Sequence, residues 1–169
     1  GVVGTVMSNL GFEQALARLA IPFSRANVGD RNILAQLQQR DWQLGGEPSG
    51  HILTLDLATT GDAIVAALQV IVPIIEQGES LQSLARGMDK FPQILENVTV
   101  AEPGKLSNDE RLLSEIALHE TKLADRGRIL VRASGTEPLL RIMVEGQDEQ
   151  EVGTIAQALA EHAIRLSAH

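Results

Sequence analysis

The stretch Gly127-Arg128-Ile129-Leu130-Val131-Arg132-Ala133-Ser134-Gly135-Thr136-Glu137-Pro138-Leu139-Leu140-Arg141-Ile142-Met143-Val144 predicts two β-strands joined by a short polar turn. Its first part is an apolar run that follows a glycine, which is typical of a strand. In its last part, apolar residues alternate with Arg141 and Met143, which predicts a second strand with one buried face. We therefore expect a hairpin whose turn is rich in Ser, Gly and Thr.

The turn of this hairpin has the composition of an anion-binding site. Gly135 allows a positive φ and a close approach of a ligand, and successive N–H groups in such a turn can form an anion nest. Ser134 and Thr136 add hydroxyl donors, and Arg132 and Arg141 flank the turn. Guanidinium groups bind phosphate oxygens in a bidentate manner. The residues favour phosphate binding, and the alternative is a tight hairpin whose hydroxyls cap their own backbone.

A second polar cluster lies in the first half of the chain, in Gly45-Gly46-Glu47-Pro48-Ser49-Gly50-His51. Three glycines and a proline predict a loop, and the alternation that follows predicts a strand entered from it. A carboxylate, a hydroxyl and an imidazole can bind vicinal sugar hydroxyls, and His51 is a candidate proton acceptor near neutral pH. From these residues alone, the alternative is equally open: Glu47 pairs with a surface cation and His51 caps the strand.

Both clusters resemble motifs of the α-D-phosphohexomutases. Residues 132–138 resemble the phosphate-binding loop of the last domain of that family, and residues 45–51 resemble its Gly-Glu-x-Ser-Gly-His sugar-recognition loop. The resemblance implies that Glu47 and Ser49 contact sugar hydroxyls, with His51 beside them. It implies phosphate-binding roles for the following residues: Arg132, Ser134, Gly135, Thr136 and Arg141. Pro48 stands where Gln or Met is usual, and Asn32 where an aromatic residue is common.

Residues 5–11 and 28–31 resemble one branch of the family, the phosphoglucosamine mutases. That resemblance implies an isomerase that interconverts glucosamine 6-phosphate and glucosamine 1-phosphate through a bisphosphate intermediate, toward UDP-N-acetylglucosamine. It also implies a phosphoserine and a Mg²⁺-binding aspartate loop in two preceding domains, neither of which occurs here. The alternative to a family role for these two residues is that Asp30 caps a helix and that Arg31 is a solvated helix residue.

We therefore expect a C-terminal fragment, an expectation that the absence of an initiator Met before Gly1 also favours. Such a fragment should bind sugar phosphate weakly and show no turnover by itself. Two alternatives stay open: a fragment of a phosphomannomutase/phosphoglucomutase, and a non-catalytic module that binds sugar phosphates.

The order of predicted elements gives two domains. Strands alternate with helices over residues 1–87, which predicts an α/β domain with a mixed sheet flanked by helices, and the resemblance implies that it is the third domain of the family. Residues 88–169 predict a small α+β domain, the fourth, with an antiparallel sheet and helices on one face. Within the first domain we expect a helix from Ala63 to Gln77, kinked or ended early by Pro73. Its predicted core face consists of Ile64, Ala67, Leu68 and Ile71.

Composition excludes several classes of function. The net charge is -8 and the aromatic residues are one Trp and three Phe, so a nucleic-acid surface is not expected. The chain has no cysteine, which excludes disulfides and thiolate metal sites and fits a cytoplasmic protein. The longest apolar region, 63–75, is too short to span a bilayer. No metal-ligand cluster is apparent, and three histidines are expected to be solvated: His119, His162 and His169.

Overall fold

The computed structural model describes residues 1–168, which form two compact units. The first unit extends from Gly1 to Lys90, and the second begins at Phe91. The division predicted from sequence lies between residues 87 and 88. Each unit has its own sheet and its own hydrophobic core.

The first unit is an α/β domain with a four-stranded mixed sheet, as predicted. In chain order its elements are β1 (Val2–Thr5), α1 (Leu10–Arg18), β2 (Phe23–Ala26), α2 (Asp30–Arg40), β3 (Leu44–Gly46), β4 (Ile52–Thr54), α3 (Ala63–Gln77) and α4 (Leu81–Leu84), followed by a 3₁₀ turn at Ala85–Gly87. The strand order is β2-β1-β3-β4, in which β1 is parallel to β2 and β3 while β4 is antiparallel to β3.

At the N-terminus of the first unit, the sequence pattern predicts a strand over Val2–Ser8 and a helix over Phe12–Leu19, and the structure departs from both. Strand β1 ends at Thr5, because the Ser8 hydroxyl accepts a bond from the Thr5 amide (2.9 Å) and turns the chain. Helix α1 begins at Leu10 rather than Phe12, since the Asn9 side chain accepts from the Gly11 amide (3.0 Å) and caps it. Side-chain bonds of this kind compete with the strand ladder and leave little signal in hydrophobic periodicity.

Strand β3 was not predicted, because two of its three residues are glycines. A Cβ on Gly45 would lie 2.6 Å from Ile33 Cγ2, so a larger residue would clash with α2. Ile33 and Leu37 of α2 are fully buried, and they pack with β-strand residues in the core of this unit. The glycine thus permits close packing of helix against strand.

Helix α3 begins as expected, at an Asp62 cap that accepts from the Ile64 amide (2.8 Å), but its predicted core face is wrong. Exposure is 74% for Ile64, 52% for Leu68 and 45% for Ile71, Ala67 is exposed as well, and no residue of the helix is buried. Pro73 does not end the helix early, since it continues to Gln77. Hydrophobic periodicity identified an apolar face but not the surface that covers it.

Within residues 1–168, no single helix has both the length and the apolar character to cross a membrane. Only α3 taken together with Leu81–Gly87 passes a test of length and composition, and that pair is bent by 101°.

The second unit is an α+β domain with helices on one face of an antiparallel sheet, as predicted. Its elements are β5 (Gln93–Thr99), α5 (Pro103–Leu106), α6 (Glu110–Leu123), β6 (Gly127–Ala133), β7 (Leu139–Gly146) and α7 (Glu149–Ser167), with a 3₁₀ turn at Ala124–Arg126 before β6. The strand order is β5-β7-β6. The Pro103-Gly104 pair predicts a turn, but these residues are the start of the one-turn helix α5.

The core of this unit lies between the sheet and its helices. Leu140, Ile142 and Val144 of β7 are fully buried and pack against the buried stripe of α7. The stripe consists of Val152, Ile155, Ala156, Leu159 and Ala163. Asp148 caps α7 by accepting from the Glu151 amide (2.8 Å), as its sequence indicates.

The expectation of solvated histidines is wrong for two of the three. His119 and His162 are half-buried, and each has one ring nitrogen that is buried without a hydrogen-bond partner in the described chain. Both residues lie on amphipathic helices. Hydrophobic periodicity predicts which face of a helix is polar, but not which side chains of that face are covered by neighbouring groups. His169 lies outside the described residues.

Candidate functional site

The hairpin of the second unit brings the two flanking arginines together. In the register of β6 and β7, Arg132 is directly opposite Arg141. Directly opposed residues point to the same face of a sheet with Cβ atoms roughly 5 Å apart. The two guanidinium groups therefore share one face of the sheet at the end that carries the Ser134–Pro138 turn, on the side away from the packed helices.

The backbone of the turn leaves amides open to solvent. The Ser134 amide donates to the Leu139 carbonyl (2.8 Å) and closes the hairpin. Among the described residues, the N–H groups of Gly135 and Thr136 have no acceptor, and both residues are exposed. Two adjacent free amides at a tight turn are suited to an anion.

Gly135 does not adopt the positive φ that glycine permits, because it lies outside the left-handed region. A Cβ built on Gly135 would meet no atom within 4 Å. The turn thus does not require glycine for its own conformation or packing. The absence of a side chain leaves free space beside the open amides.

The two arginines differ in what holds them. An Nη of Arg141 donates to the Glu137 carboxylate (2.9 Å), whereas its Nε is buried with no acceptor. Arg132 has no hydrogen-bond or ion-pair partner within residues 1–168. The Arg132 guanidinium is thus free, whereas the Arg141 guanidinium is held through one of its Nη atoms. Together with the two open amides, they offer a set of donors that a phosphate group can satisfy.

A second charged pair lies on the same face, four residues further along each strand. Arg128 is opposite Glu145 in the register and forms an ion pair with it through Nε. Glu145 is fully buried and Arg128 is 20% exposed in its side chain, so this pair is covered whereas the turn is open. Sequence reasoning did not identify it, because a charged residue on a strand predicts solvent exposure.

In the first unit, residues 47–51 connect β3 and β4 as a hairpin rather than as a loop that enters one strand. The Glu47 amide donates to the His51 carbonyl and the Gly50 amide to the Glu47 carbonyl, both at 3.0 Å. Gly50 has φ +93°, so this position favours glycine. Exposed Pro48 and Ser49 form the tip of the hairpin.

The Glu47 side chain reaches the start of α2. Its carboxylate accepts from the Gly29 amide at 3.3 Å, next to Asp30 and Arg31. A carboxylate at a helix N-terminus is stabilised by the helix dipole. Gly29 rather than Asp30 occupies the N-cap position, so α2 has no side-chain cap. The two segments that the sequence analysis treated separately are therefore adjacent.

His51 is exposed and lies against the segment before α3. A Cβ built on Gly61 would come within 2.6 Å of the imidazole Cδ2, so the ring occupies the space above this glycine. Within residues 1–168 the ring nitrogens have no hydrogen-bond partner. The imidazole is accordingly free to donate or accept at the end of the hairpin.

These side chains lie at the edge of the sheet where open α/β folds bind ligands. The chain leaves β1, crosses to β2 on one side and then crosses to β3 on the other, so the strand order reverses beside β1. Ligands bind outside the carboxyl ends of strands at such a switch point. Glu47 follows β3 at this edge, and Ser8 and Asn9 follow β1. All three line an open cavity of about 520 Å³ in this unit.

Arg25 braces the turn after β1, a role that the sequence did not reveal. One guanidinium nitrogen donates to the Thr5 carbonyl (3.0 Å) and to the Ser8 carbonyl (2.6 Å). The other side of the group is bound by the Glu13 carboxylate at 2.7 Å and 3.1 Å. The one sequence feature that could have indicated this role is the position of the cationic Arg25 within a half-buried strand.

The part of the chain that the structure describes contains no group of three or more His, Cys, Asp or Glu side chains that could hold a metal ion. The candidate groups for chemistry are therefore donors and acceptors for a polar ligand, together with one imidazole.

Comparison with known proteins identifies relatives for both units. Residues 1–91 match the family model described as phosphoglucomutase/phosphomannomutase, alpha/beta/alpha domain III, and residues 95–162 match the C-terminal domain of that family. The chain is 52% identical over 161 residues to the phosphoglucosamine mutase of Acinetobacter baylyi, which covers 95% of this chain and 36% of the relative. The chain thus spans about a third of the length of that relative.

Solved structures show the same fold at lower identity. An Aspergillus fumigatus N-acetylphosphoglucosamine mutase is similar with a TM-score of 0.87 and 21% identity, covering 99% of this chain and 38% of that one. A structure of the enzyme from the same fungus, in complex with GlcNAc-6P and magnesium, gives a TM-score of 0.83 at 21% identity, with coverage of 100% and 39%.

Proposed function

The chain belongs to the phosphoglucomutase/phosphomannomutase family, and we propose that it supplies the sugar- and phosphate-binding domains of a phosphoglucosamine mutase. The whole enzyme would interconvert glucosamine 6-phosphate and glucosamine 1-phosphate through a bisphosphate intermediate. We propose a cytoplasmic location, which the absence of cysteine fits.

One observation carries this proposal: the pairing of Arg132 with Arg141 beside two open amides. During two successive phosphoryl transfers, the phosphate that is not reacting must be held while the other end of the sugar reacts. Phosphoryl transfer depends chiefly on positioning and on stabilisation of charge. A fork of two guanidinium groups with a free Arg132 suits the binding of a phosphate dianion and breaks no bond itself.

The hairpin of the first unit would orient the sugar. The Glu47 carboxylate is fixed by the Gly29 amide, so it presents its remaining lone pairs to hydroxyl groups. Ser49 and His51 add exposed groups on the same hairpin, and His51 is the candidate proton acceptor. We thus assign the proposed sugar contacts to the first unit and the proposed phosphate contacts to the second.

The nucleophilic serine and the magnesium site of the proposed enzyme would lie outside this chain. The described residues do not fit a magnesium site, since no acidic cluster of three is present. The Aspergillus structure contains magnesium, and the comparisons match this chain to little more than a third of that protein. We therefore assign binding and orientation, and no bond-breaking step, to these residues.

The 169-residue chain should show no mutase turnover, whereas a protein that joins it to the N-terminal part of the Acinetobacter baylyi relative should be active. Both proteins would be assayed with glucosamine, mannose and glucose phosphates. Turnover by the isolated chain would contradict the proposed division of labour. Preference of the joined protein for mannose or glucose phosphates would favour the phosphomannomutase/phosphoglucomutase alternative, and inactivity on all three would favour a binding module.

We expect Arg25→Lys to lower kcat/KM of the joined enzyme about 10-fold, mainly through KM, because three donors on one nitrogen cannot reproduce the four bonds that the planar guanidinium makes from three nitrogens. Arg25 acts here by positioning the turn after β1 rather than by touching substrate. Arg18→Lys, an exposed change on α1, is the control. A loss of thermal stability in Arg25→Lys without a change in KM would show that Arg25 has only a structural role.

A further inference from the structure

Helix α3 carries an apolar stripe that nothing in the structure covers. Ile64, Leu68, Ile71 and Ile75 are spaced by four, three and four residues, which places them on one face of a helix. Their exposures run from 45% to 74%, unlike the buried stripe of α7. The stripe is thus an ordered surface of large aliphatic side chains that face solvent.

The stripe lies on the side of α3 that faces away from its own sheet. The residues of α3 that line the cavity beside β4 are Ala66, Gln69 and Val70, together with Leu44 and Ile52 of the sheet. At about 100° per residue, those three are centred on the face opposite the stripe. Packing of α3 on its sheet in this orientation therefore leaves the stripe exposed.

The composition of the helix indicates permanent rather than transient burial. Residues 63–75 contain no charged side chain, and the first charge of the helix is Glu76. A helix that is apolar on more than one face is typical of a protein interior, and interfaces that are always buried are the most apolar ones.

We infer that the stripe is an interface to the part of the longer enzyme that precedes this chain, which rests on the proposed function. The matched family model is named domain III, and the matched part of this chain covers only 36% of the Acinetobacter baylyi relative. An attached domain has a high effective concentration, so a single helix face can hold it. Association of a second copy would cost entropy that an attached domain does not lose. The surface of one helix stripe is also smaller than the roughly 800 Å² that each partner of a stable dimer buries.

The absence of cysteine in this chain allows a direct test by thiol labelling. Leu68→Cys and Ile75→Cys would be introduced separately into the 169-residue chain and into the joined protein with the N-terminal part of the Acinetobacter baylyi relative. Ala117→Cys, on the exposed side of α6, is the matched control. The rate of alkylation at each site would be followed by mass spectrometry of peptides, which separates these sites from cysteines elsewhere in the joined protein.

We expect both stripe cysteines to react as fast as the control in the isolated chain and at least about 10-fold slower in the joined protein, a factor that corresponds to about 1.4 kcal/mol of docking. Equal rates in the joined protein would overturn the inference. Protection already present in the isolated chain would also overturn it, indicating a second copy if it depends on concentration and this chain's own surface if it does not. Labelling requires no turnover, so it is independent of whether the proposed activity is found.

Discussion

Arg132→Ala is expected to lower kcat/KM of the joined protein for the proposed mutase reaction by about 100-fold or more, the range seen when one preorganised donor to a charged group is removed. Arg132 is the guanidinium without a partner in the described chain, so its donors are available to the ligand. Stability should be little changed, because the side chain is partly exposed and bonds no other residue of residues 1–168.

Two matched variants separate phosphate recognition from charge. Arg132→Lys keeps the charge but loses the planar fork, and we expect it to fall between the wild type and Arg132→Ala. Arg165→Ala removes an equal charge from an exposed position on α7 and should leave kcat/KM unchanged. Steady-state kinetics together with thermal unfolding of each variant would provide the test. Full activity of Arg132→Ala would remove the basis of the proposed phosphate site.

Arg128→Met is expected to lower the free energy of unfolding of the second unit by about 3 kcal/mol, since it removes the ion-pair partner of a buried carboxylate. Glu145 is 0% exposed, and burial of an uncompensated charge is costly. The value lies at the low end of the range for buried pairs because Arg128 itself is 20% exposed.

The control for this prediction is the exposed pair Arg126–Glu151, whose atoms lie 2.8 Å apart. Arg126→Met should cost less than about 1 kcal/mol, because water already solvates both of its charges. The double variant Arg128→Met/Glu145→Met should recover part of the loss. Urea unfolding would be followed by circular dichroism, since the one tryptophan, Trp42, lies in the first unit. Equal losses for Arg128→Met and Arg126→Met would show that burial of Glu145 has no consequence for stability.

The hairpin and its two arginines could be predicted from sequence because their signals are local. Alternation along residues 139–144 gave the strand and its buried face, and opposed positions on a two-stranded ribbon follow from the length of the turn. The same holds for α7, whose cap and stripe all lie within one element. The conformation of Gly135 could not be predicted, because glycine permits a positive φ without requiring it.

Contacts between segments that are distant along the chain could not be predicted from the sequence. Glu47 meets Gly29, and Arg25 meets Glu13 and the turn after β1, across separations of 12 to 20 residues. Each depends on which strands become neighbours, and β3, which places Glu47, was itself concealed by two glycines. No pattern within a single segment carries that information.

The sequence by itself determined the fold class, the strand pair that carries the Ser134–Pro138 turn and the residue types in both candidate loops, because these follow from periodicity and from chemical motifs within short segments. Only the tertiary structure decided which charges are buried, as for Glu145, and which apolar faces are not, as for α3. Burial depends on what packs against a side chain, and that is a property of the assembled fold rather than of the segment.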